Sequence, residues 1–149
     1  SPEAQYLFAN SGGYGFIASL SDLVSRQRAG KAFMSLEKGE APLVPAKVGS
    51  GETAAAISAS GRLLLFPLAE LKTMAKGRGT ILQDIGPKDE LAAVAVGINA
   101  FVVSGTAPRG KATEWKVAGK DLTPFRGARA RKGQPIPAKL KPTGLHPAA

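Results

Sequence analysis

The chain has 149 residues but no cysteine, one histidine, one tryptophan and two tyrosines. The lack of cysteine excludes a disulfide scaffold, a thiol nucleophile and a cysteine-ligated zinc site. The single histidine, His146, lies close to the C-terminus, so a Ser-His-Asp triad is implausible. No apolar run approaches the ~18 residues that a membrane span needs, and no signal-peptide pattern opens the sequence. These absences favour a non-catalytic chain that does not enter a membrane.

Nucleotide-binding and metal-binding patterns are also scarce. The sequence has neither a P-loop nor a G-x-G-x-x-G pattern that follows a strand and opens a helix. Three acids, Asp84, Asp89 and Glu90, lie close together along the chain. Because Gly86 and Lys88 lie between them, we interpret this stretch as an exposed turn, with a metal cluster as the alternative. We therefore expect no catalytic residue, no cofactor and no metal in this chain.

What the sequence does have is an uneven distribution of positive charge. The formal net charge is +9, and residues 101–149 carry ten Lys and Arg against two acids. The first hundred residues are almost neutral. Such an asymmetry favours a polyanionic partner, most often nucleic acid. A basic, partly disordered tail that aids solubility is the alternative.

A module of similar pattern occurs three times. Each copy has a strand, a Ser-Gly pair, a second strand, an acidic-Leu pair and a basic loop with glycine. Successive Ser-Gly pairs are 49 and 44 residues apart, and successive acidic-Leu pairs are 48 and 51 apart. A period of this size predicts a propeller or a repeat array. The pairs are Ser11-Gly12, Ser60-Gly61 and Ser104-Gly105, and Asp22-Leu23, Glu70-Leu71 and Asp121-Leu122.

Short apolar runs bounded by Gly, Pro, Ser or Asp predict strands through most of the chain. Glycine at the Ser-Gly pairs suits hairpin turns, because it adopts positive φ without steric cost. Between the second and third strands of each module we expect about one helical turn, and after about residue 140 a frayed tail. The predicted strands are 6–9, 14–18, 32–36, 43–48, 54–58, 62–66, 80–85, 91–98, 100–104 and 112–117.

The basic loops are the candidate site. They span residues 26–31, 76–79 and 126–133, and a further basic hairpin spans 106–116. Glycine lets backbone N–H groups approach a phosphate oxygen, while Lys and Arg neutralise its charge. Solvated turns with charges for solubility are the alternative. Trp115 is interpreted as a core residue rather than a base-stacking one, Phe16 as core, and Tyr14 as either.

Several strings of the first two modules resemble one known family. They are GYGF at 13–16, SDLVSRQRAGKAF at 21–33 and ISASGRLLLFPLAELKTMAKGRG at 57–79. Together they resemble the C-terminal domain of the A subunit of bacterial DNA topoisomerase IV (ParC), which is related to that of the gyrase A subunit. The resemblance covers roughly residues 5–135 and is looser in the third module. The gyrase wrapping string Gln-Arg-Arg-Gly-Gly-Lys-Gly is not intact, and 27–31 and 130–134 match it in part, which favours the topoisomerase IV branch.

The resemblance implies an all-β fold, a β-pinwheel of propeller-like blades, with roughly three blades here. We expect a partial pinwheel over residues 1–140, with units at about 5–50, 51–98 and 99–140, and a flexible tail at 141–149. The implied role is to bind and bend duplex DNA without sequence specificity, presenting a segment for strand passage in decatenation and relaxation. The DNA-cleaving tyrosine and the ATPase of the enzyme would lie elsewhere, so neither Tyr6 nor Tyr14 takes that role.

The partners so implied are duplex DNA and the rest of the A subunit, through which the B subunit would join, with a cytoplasmic, nucleoid-associated location. The alternative function is a protein-interaction module that docks an acidic chromosome-organising partner or the enzyme core. Single-stranded RNA binding ranks last, because it needs exposed aromatic side chains. The candidate DNA-binding residues are Arg26, Arg28, Lys31, Lys76, Arg78, Arg109, Lys111, Arg126, Arg129, Arg131 and Lys132.

Overall fold

The computed structural model describes residues 4–28 and 34–148, and these residues form a mostly β structure. One α-helix, α1 (Leu20–Arg28), and two 3-10 helices, Leu68–Glu70 and Gly119–Phe125, connect the strands. The strands in chain order are β1 Gln5–Ala9, β2 Tyr14–Ser19, β3 Ala46–Lys47, β4 Thr53–Ser58, β5 Arg62–Pro67, β6 Thr80–Ile81, β7 Leu91–Gly97, β8 Ala100–Thr106, β9 Ala112–Ala118, β10 Gln134–Pro135 and β11 Lys141–Pro147.

The strands form three antiparallel sheets, which confirms the predicted fold class. The first sheet has the order β3-β1-β2-β6, the second β10-β5-β4-β7 and the third β11-β8-β9. Strand β6 follows the second hairpin in sequence but pairs with β2 of the first sheet. Likewise β10 follows the third hairpin but pairs with β5 of the second sheet. Each of these short strands therefore ties one blade to the blade before it.

The three blades share an inner and an outer side. Strand β7 packs against both β3 and β11, so these three strands face one another at the centre. They line a cavity of about 360 Å³ together with Val44 and Pro45. The opposite edges of the first two sheets carry β6 and β10. Whatever chain leads into β6 and β10 consequently lies on the outer side of the blades.

The hairpin turns of the first two blades have the same construction. Gly13 and Gly61 have φ values of +95° and +93°, and their amides donate to the carbonyls of Asn10 and Ser58. The side-chain oxygens of Asn10 and Ser58 accept from the first backbone N–H of the next strand. The predicted turns at these two Ser-Gly pairs are therefore confirmed.

The third Ser-Gly pair is not a turn, so that prediction was wrong. Ser104 and Gly105 lie inside β8, and the turn falls at Ala107–Gly110. Gly105 is required for a different reason. A Cβ there would collide with the backbone carbonyl of Lys141 on β11, so glycine allows the two strands to approach.

Two apolar clusters fill the spaces between blades. Leu64 and Phe66 of β5 join the cluster shared with the first blade, which also holds Leu7 and Leu82. Leu63 and Leu65 of the same strand point to the cluster shared with the third blade, as period-2 alternation requires. The second cluster also contains Phe101, Val103 and Leu122, with Trp115 packed against it.

Aromatic residues confirm two predictions on the core. Phe16 is fully buried. Trp115 is half-buried, and its ring lies 5.7 Å from that of Phe125 in an edge-on arrangement. Trp115 is therefore committed to packing between blades.

Other predicted boundaries need correction. The tail from 141 was wrong, because Lys141–Pro147 forms the inner strand β11 and Leu145 is buried against β8. Strands predicted at 43–48 and 80–85 are only two residues long, at Ala46–Lys47 and Thr80–Ile81. The helix after β2 is longer than the expected single turn, since α1 has 9 residues. The Ser19 hydroxyl caps its start by accepting from the Asp22 amide. Residues 29–33 lie outside the described residues. They include the end of the first basic loop and the start of the predicted strand 32–36.

Candidate nucleic-acid interface

The second and third basic loops occupy equivalent places on the outer side. Thr73 and Arg126, which lead into the loops, make parallel bridges to Ile17 of β2 and Leu65 of β5. The loops then run directly into β6 and β10. The second and third basic loops therefore lie at equivalent positions of successive blades.

Each of these two loops ends at a glycine in the equivalent position. Gly79 and Gly133 have φ values of +84° and +81°. A Cβ on Gly79 would collide with the Gly15 carbonyl of β2, and a Cβ on Gly133 would collide with the Leu63 carbonyl of β5. Only glycine allows the loop backbone to turn this close to the strand.

In the loop of residues 76–79, one arginine is already paired. Arg78 donates to both carboxylate oxygens of Glu40, at 3.2 Å from Nε and 2.5 Å from Nη2. Its guanidinium carbon lies 3.6 Å from the centroid of the Tyr14 ring, within cation–π range. The side chains of Arg78 and Glu40 are only 30% and 10% exposed. Arg78 therefore joins the loop to the first blade, while Lys76 is exposed.

The pKa values of this pair follow from the contact. The hydrogen bond from Arg78 holds the pKa of Glu40 below its ordinary value of 4.5, although burial of the carboxyl opposes the shift. The same bond from the other side raises the pKa of Arg78. The two shifts agree that the pair is ionised at neutral pH.

In the loop of residues 126–133, one arginine anchors the backbone and the other cations stay free. The Arg129 guanidinium donates to the Ile81 carbonyl at 2.6 Å, and its amide donates to Glu70 at 2.8 Å. The Ala130 amide donates to the Leu82 carbonyl, and the Arg131 carbonyl accepts from the Asp84 amide. The remaining cations are exposed and have no ion-pair partner among the described residues, namely Arg126, Arg131 and Lys132.

The other predicted site residues lie elsewhere. Arg109 and Lys111 are exposed at the hairpin tip of the third blade, outside either loop. Arg28 is exposed at the end of α1. Lys31 and the side chain of Arg26 lie outside the described residues. The structure therefore places Arg126, Arg129, Arg131 and Lys132 in one loop, which is hydrogen-bonded to Ile81, Leu82 and Asp84.

The acids that could have formed a metal site serve the second hairpin instead. Asp89 accepts from the Ser60 amide at 3.1 Å and from its hydroxyl at 2.5 Å. Partial burial tends to raise the pKa of Asp89, but the hydrogen bonds from Ser60 and the Glu90 amide outweigh it and keep the pKa below its ordinary value. Within residues 4–28 and 34–148, no three His, Cys, Asp or Glu residues lie close enough to hold a metal ion.

Two residues that matter to the loops were missed at the sequence level. Glu40 neutralises Arg78 from 38 residues away, and no local pattern marks it. Gln83 is 1% exposed, and its Nε2 donates to the carbonyls of Arg62 and Lys132, both at 2.9 Å. A glutamine that ends a strand-like run gives no sign in sequence that it reaches a loop 49 residues away.

The fold and the outer loops define a class of protein: a strand-exchanging, propeller-like domain with basic loops on its outer side. Comparison with known proteins then places the chain. Residues 5–43 and 55–97 match the family model described as DNA gyrase C-terminal domain, beta-propeller. The chain is 34% identical to the A subunit of DNA topoisomerase 4 from Neisseria gonorrhoeae over 94% of its length, and 31% identical to that from Escherichia coli K12 over 89%. The chain belongs to this family of type II topoisomerase C-terminal domains.

Solved structures agree with this assignment. The E. coli ParC C-terminal domain matches with a TM-score of 0.82 at 26% identity, covering 97% of this chain and 60% of that one. A DNA gyrase A C-terminal domain matches with a TM-score of 0.73 at 13% identity, covering 95% of this chain and 47% of that one, which shows the shared fold. The chain spans about a fifth of the length of the curated relatives, 19% for the Neisseria protein.

In the part of the chain that the structure describes, no helix is both long enough and apolar enough to cross a bilayer.

Proposed function

We propose that this chain binds duplex DNA without sequence specificity along its outer side, as the C-terminal domain of the A subunit of a topoisomerase IV. In that role it bends a DNA segment and presents it for strand passage in decatenation and supercoil relaxation. The chain itself contributes no chemistry. Cleavage would belong to the rest of the A subunit, while ATP hydrolysis would belong to the B subunit. These are its partners in the assembly, which would act on the bacterial nucleoid.

One observation supports this proposal above the others. Four exposed cations lie in the two loops that enter the exchanged strands, and none has an ion-pair partner among the described residues: Lys76, Arg126, Arg131 and Lys132. Cations that are not neutralised within the protein are available to neutralise phosphates and release counterions. Their loops are held in place by backbone bonds and glycines, so little ordering is needed upon binding.

Salt dependence tests the proposal directly. If four phosphates are contacted, affinity for a linear duplex should fall roughly 150-fold between about 50 and 200 mM salt. Fluorescence anisotropy with two duplexes of about 30 base pairs and unrelated sequence would measure this, and the two affinities should agree to within about twofold, because phosphate contacts carry no sequence information. Bending should appear as increased energy transfer between dyes on the duplex ends. An affinity that changes less than about twofold over that salt range would refute the electrostatic interface.

A further inference from the structure

The last three carbonyl groups of the basic loop of residues 126–133 all accept hydrogen bonds from other segments of the chain. The Arg131 carbonyl accepts from the Asp84 amide at 2.9 Å. The Lys132 carbonyl accepts from Gln83 Nε2 at 2.9 Å, and the Gly133 carbonyl accepts from the Arg62 guanidinium at 3.2 Å. Among these donors only Gln83 is a buried side chain.

Carbonyls that face inward leave amides that face outward. In a planar trans peptide the C=O of one residue and the N–H of the next point in opposite directions. The inward carbonyls of Arg131 and Lys132 therefore direct the amides of Lys132 and Gly133 towards solvent. Neither amide donates to any described residue. Two adjacent amides without an acceptor, flanked by the Arg131 and Lys132 side chains, are donors available to an anionic oxygen.

Packing alone does not explain Gln83. Its Oε1 is buried without a hydrogen-bond partner among the described residues, although its Nε2 donates twice. The buried acceptor without a partner costs free energy, which offsets part of what the two Nε2 bonds contribute. What the glutamine supplies, and an apolar residue cannot, is the bond that fixes the Lys132 carbonyl.

The preceding blade contains the natural comparison. There the Ser35 amide donates to the Gly77 carbonyl, as the Asp84 amide donates to that of Arg131. Met34 therefore holds the position equivalent to Gln83, and it packs against the cluster of Phe8 and Phe16. Methionine has no N–H group in its side chain to fix a carbonyl of the loop. The two loops thus begin and end at equivalent places, although residues 126–133 include one residue more than residues 73–79, and different side chains hold them.

We propose that Gln83 is a positioning residue, and that it aims the amides of Lys132 and Gly133 at a phosphodiester oxygen of duplex DNA. The inference rests on the proposed DNA binding and names the atoms of one contact. The buried amide holds the loop, the outward N–H groups donate to the phosphate, and the neighbouring cations neutralise it. A neutral N–H donor adds affinity without displacing a counterion, and this sets it apart from the cations.

The test is Gln83→Met, which copies the residue of the preceding blade at nearly constant volume. Affinity for a duplex of about 30 base pairs at about 100 mM salt should fall about tenfold, equivalent to about 1.4 kcal/mol. The salt slope should change by less than half of the ~0.9 that one phosphate contact contributes. The melting temperature should fall by a few degrees, because two backbone carbonyls lose their donor, so affinity is measured well below it. Gln5→Met, the same change at an exposed position of β1, is the matched control and should leave affinity unaltered.

A second arm needs no variant. In the wild-type chain, ¹⁵N–¹H spectra recorded during titration with the same duplex should show the Lys132 and Gly133 amide protons moving downfield, as expected when they donate to an anionic oxygen. Wild-type affinity in Gln83→Met, or unmoved amides at saturating duplex, would overturn the inference. If the variant melts early while its folded form binds normally, Gln83 is merely structural and the inference also fails. Failure of the proposed function is a different result, in which the wild type itself binds duplex without salt dependence.

Discussion

The loop of residues 126–133 should dominate the electrostatic part of DNA binding. Arg131 and Lys132 are exposed on a backbone that is fixed at three successive carbonyls. In the loop of residues 76–79, by contrast, the Glu40 carboxylate already neutralises Arg78. Removing both charges as Arg131→Gln with Lys132→Gln should make the slope of log K against log salt shallower by about 1.8, since each phosphate contact contributes ~0.9.

The same two contacts set the size of the affinity loss. Extrapolated from about 1 M salt, they account for about 60-fold in affinity at about 0.1 M salt. Fluorescence anisotropy on a linear duplex at several salt concentrations between about 50 and 200 mM would measure both the affinity and the slope. Because the glutamine side chains keep polar groups on an exposed loop, the melting temperature should hardly change.

Net charge alone needs a matched control. Lys47→Gln with Lys141→Gln removes the same two charges from β3 and β11, the inner strands. Since these lysines lie on the inner side of the blades, that variant should retain the wild-type slope. Equal slopes for the two double variants would refute the reasoning, because binding would then follow overall charge rather than the outer loop.

Three further predictions concern stability. Arg78→Ala should lower the melting temperature, since Glu40 would be left without its partner, while the salt slope of DNA binding stays unchanged; a slope shallower by about 0.9 would show instead that Arg78 contacts a phosphate. Because the folded state lowers the pKa of Glu40, its ionised carboxylate contributes fully to folding stability above pH 4.5, and this contribution is lost as pH falls through the folded-state pKa. The melting temperature below pH 4.5 should therefore depend less on pH in Glu40→Gln than in the wild type. Equal pH dependence of the two proteins would contradict the assignment. Ala130 has a φ of +72°, which costs an L-residue about 1–2 kcal/mol. Glycine avoids that cost but loses roughly 0.5–1 kcal/mol more in conformational entropy on folding. Ala130→Gly should therefore gain about 0.5–1 kcal/mol and raise the melting temperature by roughly 2 °C, and a decrease would show that the left-handed backbone is not strained there.

The blades could be predicted from sequence because their long strands are locally encoded. Strands such as β4, β5 and β7 are continuous apolar runs that end at Gly, Ser or Pro, as buried strands are. The turn glycines Gly13 and Gly61 follow from the need for positive φ. These features depend on a few neighbouring residues, so the period of the repeat brings them out.

The strands at the blade edges could not be predicted in the same way. Strands β6 and β10 are two residues long, and they exist because β2 and β5 present free backbone groups to them. Strand β11 contains two prolines, Pro142 and Pro147, and lacks the usual apolar alternation. Prolines are tolerated at a sheet edge, where the missing N–H would face outward. Tertiary pairing, rather than local propensity, decides all three strands.

Prediction of the candidate site from sequence had the same limit. Sequence located the basic loops, because lysine, arginine and glycine are visible within a few residues. It could not tell which cations are free, since that depends on acids and carbonyls contributed from distant segments, such as Glu40 for Arg78 and Ile81 for Arg129. A count of basic residues therefore overstates the charge available at residues 76–79.

The two described loops show how equivalent places in successive blades can differ in electrostatics. In the first, the outer strand begins with Tyr14, whose ring lies under Arg78, and Met34 fills the space beneath the loop. In the second, Arg62 begins the outer strand and Gln83 replaces the methionine, so donors hold the carbonyls and the loop cations stay free. Equivalent bridges begin the two loops and equivalent glycines end them. The side chains beneath each loop therefore help to decide how many of its cations are free: Glu40 neutralises Arg78 in the first loop, while no acid among the described residues pairs with Arg131 or Lys132 in the second.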